Sequence, residues 1–106
     1  MSYSSDRISW PSEQPLRARF QPKINGLAAA INDPVLYLSR GPLVPLAERH
    51  EITEQGGSGS MTVDAPYIEV IADEELREEV AWYRLDMTTD DGPRTFAAGT
   101  IDRVEV

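Results

Sequence analysis

The sequence predicts a mainly β or α+β fold, as a small barrel or curved antiparallel sheet of about six short strands with one or two short helices. Three observations carry that prediction. Short runs rich in Val, Ile, Thr, Tyr, Phe and Trp recur along the chain. Turn chemistry separates them at intervals of roughly eight to twelve residues. The densest β-type stretch, Tyr67 to Val106, holds a turn cluster, Thr89-Asp90-Asp91-Gly92-Pro93, between two such runs. Acidic turn residues ending in Gly, flanked by strand formers, mark a hairpin.

The elements follow in order. Ile8 and Trp10 alternate with Arg7 and Ser9, a short strand. Leu16-Arg17-Ala18-Arg19-Phe20 alternates more cleanly, with Leu16, Ala18 and Phe20 on one face and the two arginines on the other. Pro15 and Pro22 bracket it, which suits an edge strand because proline has no N–H for a ladder. Arg17 and Arg19 then project side by side, as a plain charged face or towards a bound anion. Asn25-Gly26 marks a turn. Leu27 to Ile31 reads as one or two helical turns, stopped by Asn32-Asp33-Pro34. Val35 to Leu38 reads as a strand buried on both faces, ended by Arg40-Gly41-Pro42. Pro42-Leu43-Val44-Pro45 meets the bare PxxP pattern, a spacing too common to mark a polyproline ligand. Residues 47–53 lean to strand. Tyr67 to Ile71 is a strand. Asp73 to Glu79 opens with acids, as a helix start prefers. From Val80 the reading forks between one long helix and a strand. Trp82, Tyr83 and Thr88-Thr89 favour the strand, with Ala81, Tyr83, Leu85 and Met87 on one face and Val80, Trp82, Arg84 and Asp86 on the other. Gly99 is expected to bend or bulge the last run.

The 106 residues support a single domain, 1–106. Residues 56–60, Gly-Gly-Ser-Gly-Ser, read as a flexible Gly/Ser linker, and Met61 behind them resembles a former start residue. Natural loops of this sequence exist, but that combination points to an engineered connection, either a circular permutant or a tethered pair. In a permutant the order runs from Met61 to Val106 and continues through Ser2, Tyr3 and Ile8 towards Trp10 as one strand-and-turn segment. Permutation requires the joined ends to lie close together.

Composition limits the chemistry. With no cysteine there is no disulfide, thiolate metal site or Cys nucleophile. No apolar run reaches the roughly 20 residues of a membrane span, and the polar first residues do not resemble a signal peptide. A cytoplasmic protein is expected. The net charge is -8. Up to Ser60 acids and bases balance, and beyond it twelve acids face four arginines. Such a field disfavours nucleic acid and anionic membranes and favours a partner protein with a basic surface. Self-association into a homo-oligomer is compatible with it.

Sharper chemistry finds little support. His50 is the only histidine, and Glu48, Glu51 and Glu54 around it do not make a metal set. Asp86, Asp90 and Asp91 lack calcium-loop spacing. There is no nucleophile elbow and no phosphate-cradling glycine loop. No cofactor or metal is expected. The leading expectation is a small non-catalytic interaction module, of inhibitor, immunity or assembly-subunit type, presenting Glu74, Glu75, Glu78, Glu79, Asp90 and Asp91. The alternative is a small β-barrel that binds, isomerises or cyclises an apolar small molecule, with Tyr37, Trp82, Tyr83 and Phe96 as walls and Arg17, Arg84 and Asp86 as polar handles. A third is an engineered scaffold without native activity.

Overall fold

The computed structural model describes residues 7–105. It contains eleven strands: β1 (Ile8–Pro11), β2 (Leu16–Phe20), β3 (Lys23–Ile24), β4 (Leu27–Ala28), β5 (Val35–Ser39), β6 (His50–Thr53), β7 (Gly56–Gly57), β8 (Gly59–Asp64), β9 (Tyr67–Ala72), β10 (Trp82–Thr89) and β11 (Gly92–Val104). Two 3-10 turns, Leu46–Glu48 and Glu74–Leu76, are its helical elements among the described residues. Among the described residues no helix is long and apolar enough to cross a membrane.

Six strands form a curled half-barrel in the order β1-β11-β10-β5-β6-β7. Its pairs are antiparallel except β1 with β11, which run parallel. A second sheet, β2-β9-β8, is antiparallel and closes over the first. The core lies between them. It is built from Leu16, Phe20, Ile68, Val70 and Met61 of the small sheet and Trp10, Leu36, Leu38, Ile52, Tyr83, Leu85 and Met87 of the large one. These are the inward positions of period-two strands, so alternation in sequence becomes one shared apolar interior. The strand reading holds from Trp82, with Tyr83, Leu85 and Met87 inside, whereas Val80, expected on the face of Trp82, precedes the strand and is buried in the core.

Several expectations change. Leu27 to Ile31 is not helical. Asn25 and Gly26 have φ of 53° and 82°, the two left-handed residues of a tight hairpin turn, which pairs β3 with β4. The turn chemistry outweighs the helix propensity of three alanines that have no continuous apolar face to bury. The two runs flanking Gly99 are one strand, β11, and Gly99 pairs in register with Tyr83. The register shift lies between Leu85 and Asp86, opposite Phe96. Val35 and Tyr37 are half-buried, so β5 is fully covered on one face only. Pro42 and Leu43 lie in a turn, and the Pro42 and Val44 carbonyls each accept from Arg49, both at 2.8 Å.

The Gly/Ser segment is built into the barrel instead of hanging between elements. Gly56 and Gly57 pair with Thr53 and Ile52, and Gly59 and Ser60 pair with Ala72 and Ile71. Between them Ser58 donates to the Glu51 carbonyl and accepts from the Asp73 N–H, both at 2.9 Å. The chain here turns from one sheet into the other. A Cβ on Gly57 would collide with the Glu51 carbonyl, and one on Gly59 with the Ile71 carbonyl. Glycine is needed where two backbones come this close. At the opposite edge, β1 lies alongside β11, with Ile8 level with Ile101 and Pro11 level with Val104. A chain continuing from β11 into β1 would therefore have to travel back along the strand, not run straight on. Tyr3 and Val106, part of the expected join, lie outside the described residues.

Candidate functional site

The two sheets meet at two seams. One is closed by the Gly57–Ser58–Gly59 corner. At the other, residues 12–15 carry the chain from β1 to β2, and among the described residues β1 and β2 share no ladder. Among the described residues β1 pairs with β11 alone, and β2 with β9 alone. The turn is held from inside, where the buried Trp10 indole Nε1 donates to the Gln14 carbonyl at 2.8 Å. Past it the strands separate, leaving a groove of about 730 Å³.

Its floor is apolar. Ala18 and Phe20 of β2, Tyr83 and Leu85 of β10, and Phe96 and Ala97 of β11 supply it. Phe20 and Tyr83 meet with ring centroids 5.7 Å apart at 46°. The register shift at Asp86 leaves Phe96 without a partner in the ladder and places it at this opening. The rim is cationic, with Arg7 before β1, Arg17 and Arg19 on β2, and Lys23 on β3. No carboxylate lines the groove among the described residues.

The four cations differ in how far they are engaged. Arg7 lies 3.6 Å from Asp102, both exposed. Arg19 lies 3.8 Å from Glu69, and its guanidinium sits 3.7 Å from the centre of the Tyr67 ring. Arg17 and Lys23 form no ion pair among the described residues. Exposed pairs of this kind are weak and yield to a better anion.

The structure divides the seven aromatic and polar residues expected around one cavity. Arg17, Tyr83 and Phe96 come together at the groove. Tyr37, Trp82, Arg84 and Asp86 lie on the other face of the large sheet, because residues 82, 84 and 86 alternate with 83 and 85. There Tyr37 is level with Arg84. Asp86 is buried and accepts from Arg84 Nε and Thr95 Oγ1, both at 2.8 Å. Burial, with Glu51 and Asp86 adding to it, raises the Tyr37 phenol above its usual value. Burial, and next the Arg84 guanidinium, push Arg49 down.

The six acidic candidates fall into two patches. Glu74 and Glu75 sit exposed on the 3-10 turn Glu74–Leu76, next to Glu78 and Glu79. Glu78 contacts Arg77 and Arg103, each at 3.2 Å, and Glu79 lies 3.3 Å from His50. Asp90 and Asp91 cap the β10–β11 hairpin at the far end of β10, roughly 23 Å along the strand.

Arg7 and Lys23 were not singled out from sequence, and Arg19 was read with Arg17 only as a charged face, plain or turned towards an anion. The signal was present, since four of the ten bases fall between residues 7 and 23. Averaging charge over the whole N-terminal half, where acids balance bases, concealed it. A scan against protein-family models finds no match, and a search of curated proteins finds no relative.

Proposed function

We propose that this protein is a binding module that holds a ligand with a negative charge and an apolar body in the groove between β1 and β2. One observation carries the reading. A chain of net charge -8 gathers four cations around an aromatic floor, and no carboxylate lines it among the described residues. Most of the groove's exposed lining is polar, with the apolar side chains beneath it, so the charged rim is what a ligand meets first. The expected small-molecule reading is thereby kept in kind but changed in ligand class, from apolar to anionic and amphipathic. The acidic residues offer a weaker surface for a basic partner. Glu78 and Glu79 already face cations of this chain, and Asp90 and Asp91 stand apart from them.

The test uses 8-anilinonaphthalene-1-sulfonate, an anionic aromatic probe whose fluorescence rises on leaving water. The folded protein is expected to bind it saturably, and more weakly as salt rises. The Arg17→Glu, Lys23→Glu double variant is expected to weaken binding by at least about tenfold, or roughly 1.4 kcal/mol. Arg94→Glu, whose residue does not line the groove, is expected to leave it unchanged. Non-saturable binding, or equal binding by the double variant, would overturn the reading.

A further inference from the structure

We infer that the groove's ligand is an extended polypeptide segment in which acidic and apolar residues alternate, added as a strand along the edge of β2 that has no ladder partner among the described residues. The inference rests on the groove being a ligand site and goes further by naming the ligand.

Two observations point to a strand. The first is the backbone. β2 is paired on one side with β9 and on the other faces the groove, so alternate N–H and C=O groups of Leu16–Phe20 are turned towards it. An extended guest satisfies such a row, and main-chain pairing at an open sheet edge is a recurring mode of peptide recognition. Pro15 and Pro22, which lack an N–H, stand on either side of the strand and limit the pairing to about five residues, or ~17 Å.

The second is the arrangement of side chains around that edge. A guest strand beside β2 adopts the same pleat, so its residues point alternately inward and outward. Inward positions point towards Phe20 and Phe96 at the floor of the groove. Outward positions come level with Arg17 and Arg19, which β2 turns to solvent. The guest therefore needs apolar and acidic residues in alternation. The same two arginines oppose pairing of β2 with a second β2, because like charges directly opposite are repulsive. The edge is closed to itself and open to an acidic guest.

The test titrates the protein with an acetylated, amidated peptide of about eight residues alternating Glu and Val. Three comparisons accompany it: the Lys/Val counterpart, a Glu/Val peptide N-methylated at alternate residues, and the sulfonate probe. N-methylation removes main-chain donors and keeps the charge. The Glu/Val peptide is expected to bind and displace the probe, and to slow exchange of amides within residues 16–20. The N-methylated form is expected to bind at least about tenfold more weakly. The Lys/Val form is not expected to bind. Equal binding of the N-methylated and parent peptides would overturn strand addition. So would failure of the Glu/Val peptide while the sulfonate probe still binds, an outcome that leaves the groove a small-anion site. Failure of both would overturn the groove as a ligand site.

Discussion

The Arg77 guanidinium donates through Nε to the main-chain carbonyl of Trp10, 3.2 Å away and 67 residues distant in sequence. Its Nη2 donates to the Val104 carbonyl at 2.9 Å. Arg77 is only 8% exposed, and its charge is met by Glu78 and Glu105 at 3.2 and 3.4 Å. One side chain thus holds the ends of β1 and β11 together beside the 3-10 turn that precedes β10. β1 is a four-residue strand at a sheet edge, with a parallel partner and an open groove on its other side. Its other anchors are the ladder with β11 and the Trp10 side chain, which is fully buried in the core.

Arg77→Ala is accordingly expected to destabilise the fold by about 2 kcal/mol, because the buried Trp10 carbonyl loses a charged donor, whereas the part-buried Val104 carbonyl keeps the Ser12 N–H. Arg77→Lys should recover only part of the loss, since an ammonium cannot reproduce the planar fork that serves both carbonyls. Urea unfolding of the three proteins checks both statements. Faster amide exchange in β1 in the alanine variant would identify β1 as the element released.

Gly57→Ala and Gly59→Ala are each expected to cost more than about 2 kcal/mol, because the added methyl meets a main-chain carbonyl of the neighbouring strand. Gly57 also carries a φ of 112°. Gly41→Ala, with open space at its Cβ, should fall within about 0.5 kcal/mol of the parent. Thermal or urea melts compare the three. A loose Gly/Ser linker would show no difference among them.

Asp86→Ala is expected to lower stability by about 2–3 kcal/mol, since it leaves Arg84 Nε and Thr95 Oγ1 without this acceptor on a buried site. Thr95→Val removes one of the two bonds and should cost about 1 kcal/mol. A double-mutant cycle on the pair should show less than the sum of the two, because they share one carboxylate.

Tyr37 sets an alkaline limit. Its phenol is raised in the folded protein above the usual 10.0, chiefly by burial. In that range the folded state holds the proton more tightly than the unfolded chain. The stability this provides is fully present below 10.0 and is lost as the pH climbs through the folded value. The unfolding free energy is expected to fall as the pH rises above 10.0, and Tyr37→Phe should reduce that fall. Urea titrations from about pH 8 upward measure both curves.

Local chemistry determined much of this protein by itself. Leu16–Phe20, Tyr67–Ala72 and the β10–β11 hairpin are legible from alternation and turn residues, because a strand's two faces and a tight turn's φ angles are decided within a few residues. Where local signals competed, the more demanding one won, as at Asn25-Gly26 against the helix propensity of the alanines behind it. Tertiary structure alone decided which strands became neighbours. It put Gly56–Ser60 into two ladders, where composition had shown only a flexible run, and it laid β1 beside β11 in parallel. It also sorted the candidate residues by face, taking Tyr83 and Phe96 to the groove and Trp82, Arg84 and Asp86 to the opposite surface. The gathering of Arg7, Arg17, Arg19 and Lys23 around an apolar floor depends on where two sheets fail to close. Closure is a property of long-range packing, and no short window of residues carries it.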